Sequence, residues 1–373
     1  MAPNPLRELH AAGQSIWLDY IDRAMLRNGE LARRIVEDAL TGMTSNPTIF
    51  EKALAQGTAY DAQLRDAAGD RSAWELFELV ETDDVRAACD IFRAVYDATR
   101  GADGFVSIEV SPGAAHDADA TIAEAHRLWA TVDRPNVMIK VPGTPEGETA
   151  LRRLIADGIN VNVTLLFAVE AHSRIIDAYV AGLEDRVKAL GDVSRVASVA
   201  SFFVSRVDSE VDRRLEKAAT PQALALRGQA AIANARVAYA LFRERFAGPR
   251  WSALVAKGAR VQRPLWASTG TKNAAYSDVK YVETLIGPDT VNTLPPATLD
   301  AFRDHGRVAR TVDQGEADAR AALAALAGSG VDLRAVTDQL LVEGLASFQR
   351  SFDTLIAGLA TKAAALGRTL VVR

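Results

Sequence analysis

The regular alternation of short β-like runs with long helical patterns most constrains the fold of this chain. Between the runs, apolar residues recur at helical spacing, as in Ile175-Ile176, Tyr179-Val180 and Leu183. Because parallel neighbouring strands need a crossover connection, this alternation predicts a parallel sheet. Eight strand–helix units favour a closed (β/α)8 barrel over a doubly wound sheet. We predict strands at residues 15–20, 42–47, 105–110, 137–142, 159–167, 195–203, 263–269 and 290–294.

The chain is longer than a minimal barrel. Such a barrel needs about 250 residues, whereas this sequence has 373. We interpret the excess as helical insertions at about 48–104 and 204–262 and a helical C-terminal part at about 298–373. Within that last part, the Gly-Ser-Gly sequence at 328–330 predicts a break between two helices. Without an evident linker or repeat, we expect residues 1–373 to form one domain.

Composition and charge exclude several classes of protein. The net charge is −5 and no block of Lys and Arg occurs, which argues against a nucleic-acid partner. No apolar run approaches the roughly 18 residues of a membrane span, and the first residues lack a signal pattern. Cys89 is the single cysteine, which suits a reducing compartment. We therefore expect a cytoplasmic protein without a membrane partner, and we make no prediction about its oligomeric state.

Lys140 lies in the otherwise apolar run Val137-Met138-Ile139-Lys140-Val141-Pro142. A lysine is rarely buried without a partner or a function, because removal from water disfavours its charged form. The neutral amine of a desolvated lysine can attack a carbonyl carbon and form a Schiff base. Two plainer interpretations are a side chain that passes the strand end into water and one that pairs with a buried acid.

Several other predicted strands carry polar residues near their C-terminal ends. Residues two apart share a face of a strand, which groups Asn160, Asn162 and Thr164, and likewise Ser107 with Glu109. We expect these faces to point into the barrel, whose active sites lie at the C-terminal ends of the strands. Taken singly, each residue could be a helix cap or a turn residue. Together they predict an active site formed by Asp19, Asn46, Glu109, Lys140, Thr164 and Ser201.

Two cationic residues indicate a phosphate site at the same mouth. Lys272 lies in the Ser/Thr/Gly-rich loop 268–273 after the seventh predicted strand, where barrels often bind phosphate. Arg206 follows the sixth strand at the start of a helix, whose N-terminal amides favour an anion. The histidines are scattered, and no nucleotide-binding glycine motif occurs. We therefore expect neither a metal ion nor an organic cofactor.

Five segments, in this order, resemble the signature strands of the transaldolase family, and the added helices resemble its long bacterial form. The resemblance runs from about residue 15 to residue 295. It implies a cofactor-free class I aldolase barrel of the pentose phosphate pathway. Such an enzyme moves a dihydroxyacetone unit from sedoheptulose 7-phosphate to glyceraldehyde 3-phosphate, giving erythrose 4-phosphate and fructose 6-phosphate. The segments are TSNPT at 44–48, SIEV at 107–110, IKVPGTPEG at 139–147, NVTLLF at 162–167 and SFFVSR at 201–206.

The resemblance also implies a role for each site residue. Lys140 corresponds to the Schiff-base lysine and Asp19 to the acid/base at the hydroxyl of the cleaved bond. Glu109 and Thr164 correspond to the pair that holds the water of imine formation and hydrolysis. A protonated imine serves as the electron sink, which removes the need for metal or pyridoxal phosphate. The substrate-binding residues implied in the same way are Asn46, Asn162 and Ser201 for the donor hydroxyls and Arg206 for the phosphate.

The sequence departs from the family pattern at one of these positions. Lys272 stands where the family often has arginine, so the charge is kept and the bidentate fork is lost. Two alternative functions stay open. A fructose 6-phosphate aldolase-like enzyme would release free dihydroxyacetone, but that sub-family typically has Gln at the position of Glu109 and lacks the insertions. A catalytically inactive sugar-phosphate-binding barrel is the other, and the full set of polar residues at the mouth weighs against it.

Overall fold

The computed structural model describes residues 4–55, 57–67, 69, 71–367 and 370–371. Its strands form a closed barrel in sequence order, every neighbouring pair is parallel, and the last strand pairs with the first. The predicted (β/α)8 barrel is therefore confirmed. The strands are β1 (Gln14–Asp19), β2 (Leu40–Thr44), β3 (Phe105–Glu109), β4 (Val137–Pro142), β5 (Val161–Leu166), β6 (Ser198–Phe203), β7 (Arg263–Ala267) and β8 (Thr290–Leu294).

Helices connect the strands and extend the chain beyond the barrel. In the described part of the chain, no helix has the length and apolarity needed to cross a membrane. The helices are α1 (Pro5–Ala11), α2 (Arg23–Arg27), α3 (Glu30–Asp38), α4 (Pro47–Ala55), α5 (Asp61–Ala67), α6 (Ala73–Ala98), α7 (Ala118–Val132), α8 (Pro145–Asp157), α9 (Val169–Lys188), α10 (Ser205–Ala218), α11 (Pro221–Leu224), α12 (Ala230–Arg245), α13 (Pro249–Val255), α14 (Lys280–Glu283), α15 (Pro296–His305), α16 (Glu316–Gly328) and α17 (Leu333–Ala365), and a 3-10 turn lies at Pro112–Ala114.

Local sequence signals fix the ends of the helices that flank the site. α8, which follows the lysine-bearing strand β4, has Pro145 in its first turn, and the Thr144 hydroxyl accepts a hydrogen bond from the Gly147 amide at 3.0 Å. It ends at Gly158, whose φ of 89° is the left-handed conformation that glycine adopts readily. The predicted break at 328–330 is confirmed, because α16 ends at Gly328 and α17 begins at Leu333.

The barrel interior has an apolar lower layer and a polar upper layer. The lower layer is a buried cluster separate from the main core, which contains the helix-facing sides of the strands. Its members include Trp17, Phe105, Met138, Val199, Leu265 and Val291. Gly42 lies opposite Trp17 in the β1–β2 register, and a Cβ atom there would lie 2.5 Å from the indole. A glycine is needed at this position so that the indole can fill the barrel.

Several residues at the ends of the predicted strands lie outside the observed strands. Asn160 was expected to lie in the same strand as Asn162 and Thr164, but β5 begins only at Val161, so the predicted start of this strand is wrong. The Asn160 side-chain amide donates to the carbonyl oxygens of Pro135 and Val137, at 3.0 and 3.1 Å. Its Oδ1 accepts from the Ala197 amide at 2.9 Å. These bonds tie together the chain segments entering β4, β5 and β6, so this polar side chain has a structural function.

The C-terminal helix α17 is attached to the helices between β2 and β3. The Phe352 ring packs against Trp74, with ring centroids 5.1 Å apart. Near the end of α17, the Lys362 ammonium donates to the carbonyl oxygens of Leu54 and Gly57, at 2.8 and 2.7 Å, and pairs with Asp61 at 3.1 Å. A cation that bonds carbonyls at a helix end complements the negative end of the α4 dipole. These contacts hold the middle of α17 beside the barrel mouth.

Candidate active site

A cavity of about 630 Å³ opens at the C-terminal ends of the strands. Asn162 is the one predicted site residue that does not line it directly, and it lies fully buried in β5 beside Lys140, its partner in the strand register. The structure thus brings the predicted residues together at a single mouth. Those that line the cavity are Asp19, Asn46, Glu109, Lys140, Thr164, Ser201, Arg206 and Lys272.

Lys140 is buried and paired with a carboxylate. Only 8% of the residue is exposed. The parallel register places Glu109 of β3 directly opposite it, and Lys140 Nζ lies 3.2 Å from Glu109 Oε2. Nζ also donates to the Ser45 carbonyl oxygen at 3.3 Å. The lysine therefore has the buried acidic partner of the plainer interpretation, yet it also lines the cavity, where a substrate carbonyl could reach it.

The pKa of the Glu109 carboxyl is raised, mainly by burial. The positive charge of Lys140 and the hydrogen bond from Lys140 oppose that shift, whereas the negative charge of Asp19 adds to it. A carboxylate with a raised pKa takes up a proton more readily than an ordinary glutamate. Next to the Lys140 ammonium, this favours proton exchange between the two groups. Glu109 can thus receive a proton as the amine becomes a nucleophile and return it when a hydroxyl group must leave as water.

Asp19 is the last residue of β1 and also lines the cavity. Its Oδ1 accepts a hydrogen bond from the Thr44 hydroxyl at 2.8 Å, and Thr44 Oγ1 lies 2.7 Å from Thr293 Oγ1. This chain of hydroxyls fixes the carboxylate. Burial raises the pKa of Asp19, and the charge of Lys140 is the largest opposing effect. A fixed carboxyl group with a raised pKa is suited to act as a general base and then as a general acid.

A further buried carboxyl group, Glu81 on α6, was missed in the sequence analysis. It is 4% exposed, and the described residues give it no hydrogen bond or ion pair. Burial raises the pKa of Glu81 well above its usual range, and the negative charge of Glu109 is the next largest cause. A signal was present, because Glu81 follows Phe77 and precedes Val85 by one helical turn each, so it lies on the buried face of α6.

The amide and hydroxyl groups beside Lys140 form a hydrogen-bonded network. Asn162 Nδ2 donates to Ser107 Oγ at 3.0 Å, and Ser201 Oγ donates to Asn162 Oδ1 at 2.7 Å. Asn46 lies just after β2, where its Oδ1 accepts from the Ile49 amide at 3.1 Å and so caps α4. The Asn46 Nδ2 group has no hydrogen bond to the described residues, so it remains available to a substrate hydroxyl.

Two adjacent residues of β5 face the cavity, contrary to strict alternation. Both Thr164 and Leu165 line it, because Leu165 has a left-handed backbone with φ of 61° and the β5–β6 register shifts between Val163 and Leu166. Such a conformation is uncommon for a residue with a Cβ atom and needs support from its surroundings. Gly344 of α17 provides that room, since a Cβ atom there would lie 3.0 Å from Leu165 Cδ2.

The C-terminal helix α17 forms one wall of the cavity, which the sequence analysis did not foresee. The Thr48 hydroxyl donates to Ser351 Oγ at 2.8 Å, which joins α4 to this wall. The lining residues lie one helical turn apart and so share a face of the helix. They are Gly344, Ser347, Phe348 and Ser351.

The cationic side of the cavity has no counterion in the described part of the chain. Arg206 lies in the first turn of α10, half-buried, with its guanidinium 5.2 Å from the centroid of the Phe203 ring. Burial lowers the pKa of Arg206, and the charge of Asp19 opposes that shift. Neither Arg206 nor the exposed Lys272 has an ion pair or hydrogen bond among the described residues. A half-buried arginine without an ion pair at a helix N-terminus, with a second cation lining the same cavity, can bind a phosphate group.

Comparison with known proteins connects this site to a family. A family model described as "Transaldolase/Fructose-6-phosphate aldolase" matches residues 16–359. A protein of Frankia alni named "Transaldolase" is 51% identical over 368 residues, which cover 98% of each chain. Proteins with the same name from Thermobifida fusca, 51% identical over 97% of this chain and 99% of theirs, and Mycolicibacterium smegmatis, 50% identical over 95% and 97%, are also similar. The chain therefore belongs to the transaldolase/fructose-6-phosphate aldolase family.

Proposed function

We propose that this protein is a transaldolase that moves a dihydroxyacetone unit from sedoheptulose 7-phosphate to glyceraldehyde 3-phosphate. The products would be erythrose 4-phosphate and fructose 6-phosphate. One observation carries the proposal: the buried Lys140–Glu109 pair shares a cavity with two unpaired cations, Arg206 and Lys272. An amine poised for a carbonyl carbon and a site for a phosphate are the two requirements of this chemistry. The names of the relatives that resemble this chain over nearly its whole length support it.

The first half of the proposed reaction forms an imine. Lys140 Nζ gives a proton to Glu109 and attacks the ketone carbon of the donor sugar. The resulting carbinolamine loses its hydroxyl group as water, with Glu109 as the proton donor and Thr164 as a hydrogen-bond partner of that water. The product is a protonated imine, a positive centre that can accept the electron pair released when the neighbouring carbon–carbon bond breaks. The reverse sequence, in which water adds to the imine, regenerates the lysine.

The second half cleaves and re-forms a carbon–carbon bond. Asp19 takes the proton from the hydroxyl beside the bond to be broken, the aldehyde leaves, and the electron pair flows to the imine nitrogen to give an enamine. The enamine carbon then attacks the incoming aldehyde, and Asp19 returns the proton to the new hydroxyl. Polar groups at fixed positions would hold the three-carbon unit between the two events: Asn46 and Ser201 line the cavity, and Asn162 accepts a hydrogen bond from Ser201. Arg206 and Lys272 would hold the phosphate of each sugar.

Trapping with borohydride tests this proposal directly. Fructose 6-phosphate plus borohydride should reduce the imine, inactivate the enzyme and add the mass of the reduced adduct to the peptide containing Lys140. Lys140→Arg is the matched control, because a guanidinium group keeps the positive charge but is not deprotonated in this range and cannot form the imine. A chelator should leave activity unchanged. An adduct on a peptide without Lys140, or loss of activity with the chelator, would contradict the mechanism.

An assay with and without an acceptor aldehyde separates the alternative functions. A transaldolase turns over a ketose donor rapidly only when glyceraldehyde 3-phosphate or erythrose 4-phosphate is supplied. A fructose 6-phosphate aldolase releases free dihydroxyacetone without acceptor, and an inactive sugar-phosphate-binding barrel shows neither reaction. Steady production of free dihydroxyacetone at a rate equal to that of transfer would favour the aldolase.

A further inference from the structure

The loop between β7 and α14 carries Lys272 but gives its side chain no partner. Lys272 is exposed, so only the backbone of the loop sets its position over the cavity. The loop closes on itself through Thr271 Oγ1, which donates to the Ser277 carbonyl oxygen at 2.8 Å. The Tyr276 amide also donates to the Asn273 carbonyl oxygen at 3.0 Å. These local bonds shape the part of the loop that follows Lys272. The start of the loop is attached to the barrel, because Thr269 Oγ1 donates to Asn292 Oδ1 of β8 at 2.9 Å.

A tyrosine–carboxylate hydrogen bond attaches the part of the loop after Lys272 to α10. Tyr276 Oη donates to Asp212 Oδ2 at 2.6 Å, and Asp212 Oδ1 accepts from the Gly228 amide at 2.8 Å. Asp212 is 5% exposed. Burial and the bond to Asp212 raise the pKa of Tyr276, so its hydroxyl keeps the proton that it donates. A hydrogen bond to a buried carboxylate is stronger than one between neutral groups.

The Tyr276 ring is held on its other side as well. The Lys280 ammonium lies 3.7 Å from the centroid of the ring and donates to the Gly228 carbonyl oxygen at 2.7 Å. Gly228 has φ of 70°, and a Cβ atom there would lie 2.8 Å from the ring. The cation–π contact and the close backbone approach leave the ring little freedom. The Tyr276 hydroxyl is thus directed at Asp212 by contacts that are independent of the substrate.

The helix that receives this bond is the one that carries the arginine of the anion site. Arg206 lies in the first turn of α10 and Asp212 lies in its middle. The same helix therefore carries Arg206 and Asp212, the residue to which the Lys272 loop is bonded, and fixes the distance between them. Lys272 also borders a second cavity of about 200 Å³, lined by carboxylates that include Asp212 and Glu216. A displaced loop could bring the Lys272 ammonium to these carboxylates instead of to a phosphate.

We propose that Asp212 and Tyr276 are positioning residues that hold Lys272 beside Arg206, so that recognition of a substrate phosphate depends on a hydrogen bond outside the site. This inference rests on the proposed function only in taking the bound anion to be the phosphate of a sugar substrate. The presence of an anion site is inferred independently of that function. The two side chains do not line the active-site cavity. Their effect reaches the phosphate only through the position of Lys272.

Tyr276→Phe removes the hydroxyl and keeps the ring. We expect kcat/KM for glyceraldehyde 3-phosphate to fall about 3- to 10-fold, the range of one hydrogen bond. The loss should appear mainly in KM, and kcat/KM for unphosphorylated glyceraldehyde should fall less. Tyr281→Phe is the matched control, because Tyr281 donates to Asp208 of the same helix at 2.9 Å but lies in α14, beyond the loop. It should leave the ratio of the two kcat/KM values unchanged.

A double-mutant cycle decides whether the effect passes through Lys272. In the Lys272→Ala background, Tyr276→Phe should no longer change the ratio of kcat/KM values for the two acceptors. Additive effects, equal losses on both acceptors, or no phosphate-specific loss in Lys272→Ala would overturn the proposal. Asp212→Asn should also lower the ratio, because its one amide oxygen cannot accept from both the Tyr276 hydroxyl and the Gly228 amide, which bond separate oxygens of Asp212.

A measurement without catalysis separates this proposal from the proposed function. Inorganic phosphate should raise the melting temperature of the wild-type protein, and the phosphate concentration for half the effect should rise about 3- to 10-fold in Tyr276→Phe. An unchanged concentration in Tyr276→Phe would overturn the proposal. Failure of borohydride trapping would refute the transaldolase mechanism and leave this phosphate measurement valid.

Discussion

Glu109→Gln tests whether the carboxylate beside Lys140 moves a proton or only balances a charge. Gln has nearly the same shape as Glu but cannot take up a proton. The substitution therefore removes the charge and the proton transfer at the 3.2 Å contact with Lys140 and leaves the packing nearly unchanged. Both side chains are almost fully buried, with 10% and 6% exposed, so solvent screens the pair little. The two possible roles predict rate changes of opposite sign.

The charge effect alone would favour the reaction. Unit charges 3.2 Å apart attract by about 5 kcal/mol at an effective dielectric constant near 20, and this attraction favours the ammonium over the free amine. A neutral amide in place of the carboxylate removes that attraction, so nucleophilic amine would become easier to form. If Glu109 only balanced charge, Glu109→Gln would therefore form the imine at least as fast as the wild type. The loss of general acid/base catalysis instead slows the step about 10²- to 10⁴-fold, or about 3–5 kcal/mol in the barrier.

Single-turnover trapping measures this step. Enzyme in excess is mixed with fructose 6-phosphate, samples are reduced with borohydride after set times, and the fraction of adduct is read by intact mass. We expect slow adduct formation in Glu109→Gln, slow hydrolysis of the imine, and urea unfolding close to that of the wild type. Imine formation at the wild-type rate or faster would refute the role of Glu109 as a proton donor and acceptor.

Four further variants test other parts of the protein. Asp19→Asn should still form the imine but cleave the donor about 10²- to 10⁴-fold more slowly, so the trapped adduct should contain the intact six-carbon sugar; a three-carbon adduct at the wild-type rate would argue against this base. Arg206→Ala should lower kcat/KM for glyceraldehyde 3-phosphate about 10- to 150-fold and Lys272→Ala by less, because only Arg offers a bidentate fork; equal losses with unphosphorylated glyceraldehyde would show that both residues support the mouth structurally. Glu81→Gln should change the pH dependence of stability: burial raises the pKa of Glu81 above its usual 4.5, so the proton held in the folded state stabilises it fully below pH 4.5, and that contribution is lost as pH rises through the folded-state pKa. Its free energy of unfolding should therefore rise relative to wild type above pH 4.5, by at most about 1.4 kcal/mol per pH unit, and a constant difference in urea titrations between pH 4 and pH 8 would contradict this.

Some features of the candidate site could be predicted from sequence because they depend on local rules. The two-residue period of a strand places Lys140 on the same face as Met138, and Glu109 on the same face as Phe105. Parallel strands that alternate with helices all end at the same edge of the barrel. These rules placed the residues around a common mouth, and the cavity at that mouth agrees.

Other features depend on which distant segments meet. The register between β3 and β4 places Glu109 directly opposite Lys140. The sequence of neither strand specifies this register. Leu165 faces the cavity because Gly344, far along the chain, leaves room for it beside a shifted strand pairing. Asn160 shows another long-range effect, since its side chain bonds the carbonyl oxygens of Pro135 and Val137 at the entry of the neighbouring strand β4.

The sequence by itself determined the architecture of this protein and singled out Lys140 as its candidate nucleophile, because hydrophobic periodicity and an isolated charge in an apolar strand are local properties. Only the tertiary structure decided how that lysine is paired, which helix covers it and how the cations are held. The wall formed by α17 and the Tyr276–Asp212 bond join residues that are far apart in the chain. Local sequence preferences do not predict such contacts. The free energy of these contacts comes from shape and charge complementarity that exists only once the barrel has closed.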